Sequence, residues 1–113
     1  MIEHYSFGKI VVAGNTYTSD IKIINTEVIP QWWRKYGHSV CIDDVADLLG
    51  MKPKYLIIGR GNPGLMKTDA LLRDRLEKLE IKLIEEPTTK AVEIFNQMLG
   101  RRESLAAGFH LTC

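Results

Sequence analysis

Cysteine, proline and long apolar runs are all scarce in this chain. Two cysteines, Cys41 and Cys113, are too few for the disulfide framework of a small secreted domain, so a reducing, cytoplasmic setting is the expectation. The longest apolar runs, such as Tyr55 to Ile58, cover four positions, against about 20 for a membrane-spanning helix. The opening Met1-Ile2-Glu3-His4 carries an acid where a signal peptide carries bases. A soluble chain with no membrane partner is therefore expected. Nor is there an excess of one charge. Fifteen Lys plus Arg stand against fourteen Asp plus Glu, a net +1, which argues against nucleic-acid binding by bulk positive charge. What remains is ordinary globular composition, 45% hydrophobic and 26% charged, over 113 residues. That length suits one domain, residues 1–113, able to bury roughly 65% of its unfolded surface without a metal or disulfide.

The pattern changes character near residue 42. Before it, Tyr5 to Val12 is rich in β-branched and aromatic residues, and Tyr17 to Ile24 alternates with Tyr17, Ser19, Ile21 and Ile23 on one side. Gly14-Asn15 between them supplies a turn with positive φ, which predicts an N-terminal β-hairpin. Glu27 to Ile29 adds a short strand stopped by Pro30. After residue 42, helices and strands alternate. Asp43 is placed to cap a short helix carrying Val45, Leu48 and Leu49. Tyr55 to Ile58 reads as a strand buried on both faces. A helix starting at Thr68 or Asp69 carries Leu72, Leu76 and Leu79 on one stripe, with Asp69–Arg73 and Asp74–Lys78 as outer pairs. Ile81 to Glu85 reads as a strand, Pro87-Thr88-Thr89 opens a third helix bearing Ala91, Phe95 and Met98, and Leu105 to Leu111 closes as a strand. The expected fold class is α/β: one compact domain with a mixed central sheet, helices packed on it and an N-terminal β-hairpin.

The sharpest local motif is Gly59-Arg60-Gly61-Asn62-Pro63-Gly64, which matches G-x-G-x-x-G directly after the apolar strand. Glu85, ending the next strand, stands where a dinucleotide site keeps its ribose-binding acid. Pro63 and the stretch through Lys67 delay the helix, only one such unit exists, and the length leaves no substrate domain. The expectation is a glycine turn at a strand end and no cofactor. A lesser version keeps the loop as an anion or small-molecule site, with Gly59, Arg60, Gly61, Asn62, Thr88 and Arg102 as its candidate residues and Lys67 nearby.

Other constellations are weaker. His38-x-x-Cys41 and His110-x-x-Cys113 form a His₂Cys₂ set on paper, but residues three apart in extended chain point to opposite faces, so no metal site is expected. No G-x-S-x-G or HExxH occurs, and no catalytic residue is assigned. In Trp32-Trp33-Arg34-Lys35-Tyr36, adjacent tryptophans should face opposite ways, one inward and one outward. Trp33 and Arg34 are therefore the candidate partner-binding residues, with base stacking as a lesser option.

Several of these features together resemble a known family: Trp33-Arg34, then Ile58-Gly59-Arg60-Gly61 after a strand, then Thr88-x-x-Ala91-x-x-x-Phe95-Asn96, and the ending Ala106-Ala107-Gly108-Phe109-His110-Leu111-Thr112-Cys113. The combination is similar, over essentially the whole chain, to the small Mth-type domain of unknown function. That domain is shared by the adipogenesis-associated domain protein and a mitochondrial complex I assembly factor. The resemblance implies a compact α/β fold and, through the assembly-factor relatives, protein binding or self-association rather than chemistry. It supplies no catalytic residues. Two departures stand out: Gly64 adds a glycine the family does not require, and Ser104 replaces an expected basic residue, leaving Arg101 or Arg102 for any charge there. Within this frame Thr88 is expected to cap the last helix and Asn96 to bond a nearby loop.

Overall fold

A computed structural model describes residues 1–113. The N-terminal part is a three-stranded meander, β1 (Ile2–Ser6), β2 (Lys9–Val12) and β3 (Asn15–Tyr17), in that spatial order. The expected single strand over Tyr5 to Val12 is thus two strands folded at Phe7-Gly8, where Gly8 takes φ 81°. Likewise Tyr17 to Ile24 breaks at Thr18–Asp20 before β4 (Ile21–Ile24), so its alternation runs across two sheets. The turn at Ala13-Gly14 between β2 and β3 is where the hairpin was expected.

β4 continues into β5 (Glu27–Ile29), then a short β6 (Ser39–Val40), a 3₁₀ turn (Ile42–Val45) and α1 (Ala46–Gly50). The second half runs β7 (Tyr55–Arg60), β8 (Lys67–Thr68), α2 (Ala70–Lys78), β9 (Lys82–Glu86), α3 (Thr88–Gly100) and β10 (Leu105–His110). The main sheet has order β5-β4-β10-β7-β9. β5, β4 and β10 pair antiparallel, whereas β10, β7 and β9 pair parallel, so the sheet is mixed as expected. β6 and β8 form a separate parallel pair.

The continuous apolar run of β7 is explained by cover on both faces. Ile57 joins Ile21, Ile23, Ala107 and Phe109 against α3 and the meander, with Phe95 meeting Phe109 edge-on at 5.7 Å. Leu56 and Ile58 point the other way, into a second core with Trp32, Leu48, Met66, Leu72 and Leu76. No helix is long and apolar enough to cross a membrane.

Three local expectations shift. Asp43 does not cap the first helical turn; Asp44 does that work, its carboxylate accepting from the Cys41 and Lys35 amides. Asp69 caps α2 by accepting from Leu72 N at 2.8 Å, so it does not pair with Arg73, which bonds Thr68 and Glu85. The helix ends at Lys78, and Leu79 is 47% exposed rather than on the buried stripe.

Candidate functional site

Because β7 and β10 run parallel with Arg60 beside His110, the glycine loop and the chain's last residues share one rim of the sheet. Gly61 sits at φ 94°, and a Cβ there would collide with the Thr112 carbonyl, so the turn requires glycine. Its amide donates to Thr88 Oγ1 at 2.8 Å, and that hydroxyl donates in turn to the His110 carbonyl at 2.6 Å. Thr88 therefore does not cap α3 through its side chain; it rivets the loop to the end of β10. The Asn62 amide donates to Thr112, Leu65 to Cys113 and Met66 to Arg60. Arg60 donates from Nη2 to the Gly64 carbonyl.

These bonds alter the expected anion site. The Gly61 and Asn62 amides, which a phosphate or carboxylate would need, already serve carbonyl and hydroxyl oxygens of the protein. Glu85, the would-be ribose ligand, accepts from Thr68 N and Arg73. Arg102 lies in the turn after α3, before Leu105, and Leu105 pairs with Tyr55 at the opposite end of the sheet. Gly59, Arg60, Gly61, Asn62 and Thr88 are thus brought together, and Arg102 is not. Gly59 is confined for a different reason: a Cβ would meet Phe109 at 2.9 Å and Thr88 at 3.0 Å.

Next to the loop lies a cluster that local spacing did not reveal. Asp20, just before β4, accepts from the Leu111 amide through Oδ1 at 2.8 Å. Its Oδ2 lies 2.7 Å from His110 Nδ1 and 2.8 Å from Arg34 Nη2. An ionised carboxylate only accepts, so Nδ1 carries the proton and donates to Asp20. The 3.3 Å approach of Arg34 Nη2 to Nδ1 is then two donors converging on one acceptor. Burial pushes the Asp20 carboxyl up, but bonds from His110, Leu111 and Arg34 outweigh it and hold it below its ordinary value. Arg34 also donates to the Gly37 carbonyl and stacks over Trp32 at 4.7 Å. The Arg34 and His110 side chains are only 7% and 8% exposed, and Arg34 Nη1 and His110 Nε2 have no partner in the protein.

The cluster lies at the base of a cleft of about 380 Å³, rimmed by Ser19, Trp33, His38 and Thr112. His38 and His110 meet edge-on at 5.7 Å, so the two histidines of the H-x-x-C pairs do converge. No group of three or more metal-ligating side chains gathers there or elsewhere.

The adjacent tryptophans divide as expected. Trp32 is 3% exposed, lies against Gly108 so closely that a Cβ there would meet its ring at 2.6 Å, and donates from Nε1 to the Asp44 carbonyl. Trp33 is 79% exposed. Arg34 turns inward, so of the two candidate contact residues only Trp33 faces solvent. Arg34 is in the core cluster, Arg60 holds Gly64 and Arg102 is at the far end of the sheet.

The fold and site thus define a small mixed-sheet α/β domain with one rim stitched shut and a polar cleft beside it. Residues 2–110 match a family described as a protein of unknown function (DUF498/DUF598). The chain belongs to that family, and it is a Mth-type domain of unknown function. It is similar to a conserved hypothetical protein from Pyrococcus horikoshii (21% identity, 100% and 99% of the two chains, TM-score 0.90). It is also similar to a protein described as MT938 (27%, 100% and 98%, 0.82) and to one described as an outer membrane protein from Bartonella henselae (23%, 99% and 94%, 0.85). No functionally curated protein matches the chain.

Proposed function

We propose that this domain is a non-catalytic protein-binding or assembly module whose contact surface is the exposed side of residues 30–41. One observation carries the reading: a tryptophan that is 79% exposed stands on a segment held rigidly from beneath. Asp44 ties that segment at Trp32, Lys35 and Cys41, so Trp33 is presented without a large ordering cost. Tyr36 and Leu71, both exposed, line a nearby groove that also includes Ile42. Lys35 and Asp43, joined at 2.5 Å on the surface, border it with charge. An aromatic anchor with an apolar surround and a polar rim has the composition of a protein contact.

The test is sedimentation over a wide concentration range together with capture from native extract, each with Trp33→Ser as control. The expected result is an assembly or partner complex that Trp33→Ser weakens roughly thirtyfold, about 2 kcal/mol. A strict monomer with no Trp33-dependent partner contradicts the reading.

A further inference from the structure

We infer that the outer edge of β9 pairs antiparallel with the same edge of a second copy of this chain, joining two five-stranded sheets into one of ten strands about a two-fold axis at Ile84. The contact uses none of residues 30–41 and so goes beyond the surface proposed above.

β9 ends the main sheet. The Lys82 amide donates to the Lys54 carbonyl, and β9 runs parallel to β7 from Tyr55 beside Lys82 to Gly59 beside Glu86. The ladder to β7 therefore uses the backbone of Lys82, Ile84 and Glu86. The period of two turns the amides and carbonyls of Leu83 and Glu85 outward, and no bond from a turn or loop reaches these four groups. Other edges are shorter or partly taken. β5 has three residues and stops at Pro30, which has no amide hydrogen. At the edge of β1 the Asn96 side chain takes both backbone groups of Ile2. β9 has five residues, none fully buried and none a proline.

Charges on an edge strand ordinarily keep other strands away, but the order Lys82-Leu83-Ile84-Glu85-Glu86 is self-complementary. With the axis at Ile84, Leu83 and Glu85 of the two copies exchange both backbone bonds, twice over, so all four free groups on each edge are satisfied. Lys82 then stands opposite Glu86 of the second copy at each end, with the two Ile84 side chains between them. Neither Lys82 nor Glu86 joins an ion pair within its own chain, and Ile84 lies half-buried against the α3 core. Glu85 is already neutralised by Arg73 and the Thr68 amide. A one-residue slip opposes outward groups to inward ones. A two-residue slip removes both charge pairs and, in one direction, sets Glu85 against Glu85. The contact is isologous and closes at two copies.

Sedimentation equilibrium of the full chain from about 1 µM to about 1 mM should show a monomer–dimer equilibrium. Lys82→Glu and Glu86→Lys should each weaken the dimer at least about tenfold, because the two-fold counts each like-charge contact twice. Mixing these two variants restores opposite charges at both ends and should give a heterodimer within about threefold of the parent affinity. In the parent, the Leu83 and Glu85 amides should gain protection from hydrogen exchange on concentration, while Ile84, already bonded to β7, changes little. That measurement needs no variant. The inference is overturned if the parent stays monomeric throughout, if a folded single variant dimerises unchanged, if two folded variants fail to associate on mixing, or if exchange at Leu83 and Glu85 is independent of concentration. Trp33→Ser should leave this dimer intact. Association that Trp33→Ser removes and Lys82→Glu spares supports residues 30–41 and overturns the β9 contact; a dimer that only Lys82→Glu removes supports the β9 contact alone.

Discussion

The glycine loop and the Asp20–Arg34–His110 cleft occupy the same rim of one sheet, and they treat polar groups in opposite ways. In the loop, the Gly61, Asn62, Leu65 and Met66 amides all find oxygens of the protein, and the Arg60 Nε alone is left without a partner. In the cleft, buried nitrogens of both Arg34 and His110 find none. A motif conspicuous in sequence has therefore spent these backbone amides on holding the chain's end in place. The inconspicuous residues next to it have capacity left over. Glycine spacing reports how the backbone turns; it does not report whether the amides it exposes are free.

The comparison breaks most severely at Arg34. Arg34→Ala removes one partner of a buried ion pair and leaves Asp20 with only His110 and the Leu111 amide, with an expected loss of about 3–5 kcal/mol in urea unfolding. Next comes the rivet of the loop. Thr88→Val keeps the shape but leaves the Gly61 amide and the His110 carbonyl without the hydroxyl, and should cost about 1–3 kcal/mol by the same measurement. If Thr88→Val were neutral, the loop would not be held as described.

Acid sharpens the contrast further. The folded Asp20 carboxyl lies below its ordinary value, so the stability it contributes is complete above the unfolded carboxylate pKa of about 3.9 and is lost as pH falls through the lower folded value. Asp20→Asn should lose less stability than the parent between near-neutral pH and pH values of about 3, read from paired urea curves. An equal loss would remove Asp20 from the acid response. The smallest effect is expected at the surface: Trp33→Ser should change stability by no more than about 0.5 kcal/mol, so any loss of association it causes is a contact effect.

Much of the fold was legible because its signals are local. The four-residue apolar run became the strand buried on both sides, Asp69 started α2, Thr88 started α3, and the Trp32–Trp33 pair split between core and solvent. The misreadings came from tertiary bonds overriding local ones. Thr88 has a cap-like position but a better use across the sheet, Asn96 bonds the backbone of Ile2 in β1 rather than a loop, and Asp44 displaces Asp43 as the buried anchor. The cleft was invisible for a different reason. Arg34 and His110 lie 14 and 90 residues from Asp20, and only the antiparallel pairing of β4 with β10 brings Asp20 and His110 together. The one trace in sequence is an acid and a histidine, each at the end of an apolar strand segment.

The central claim, that the loop is bonded shut while the cleft stays open, is tested most directly by amide hydrogen exchange under native conditions. Gly61 and Asn62 should be protected nearly as well as the amides of β7, because their donors are taken inside the protein. Exchange at these two amides as fast as at the exposed Gln31 and Gly37, whose amides have no partner in the protein, would mean that the loop is open, and the contrast drawn between the two regions would fail.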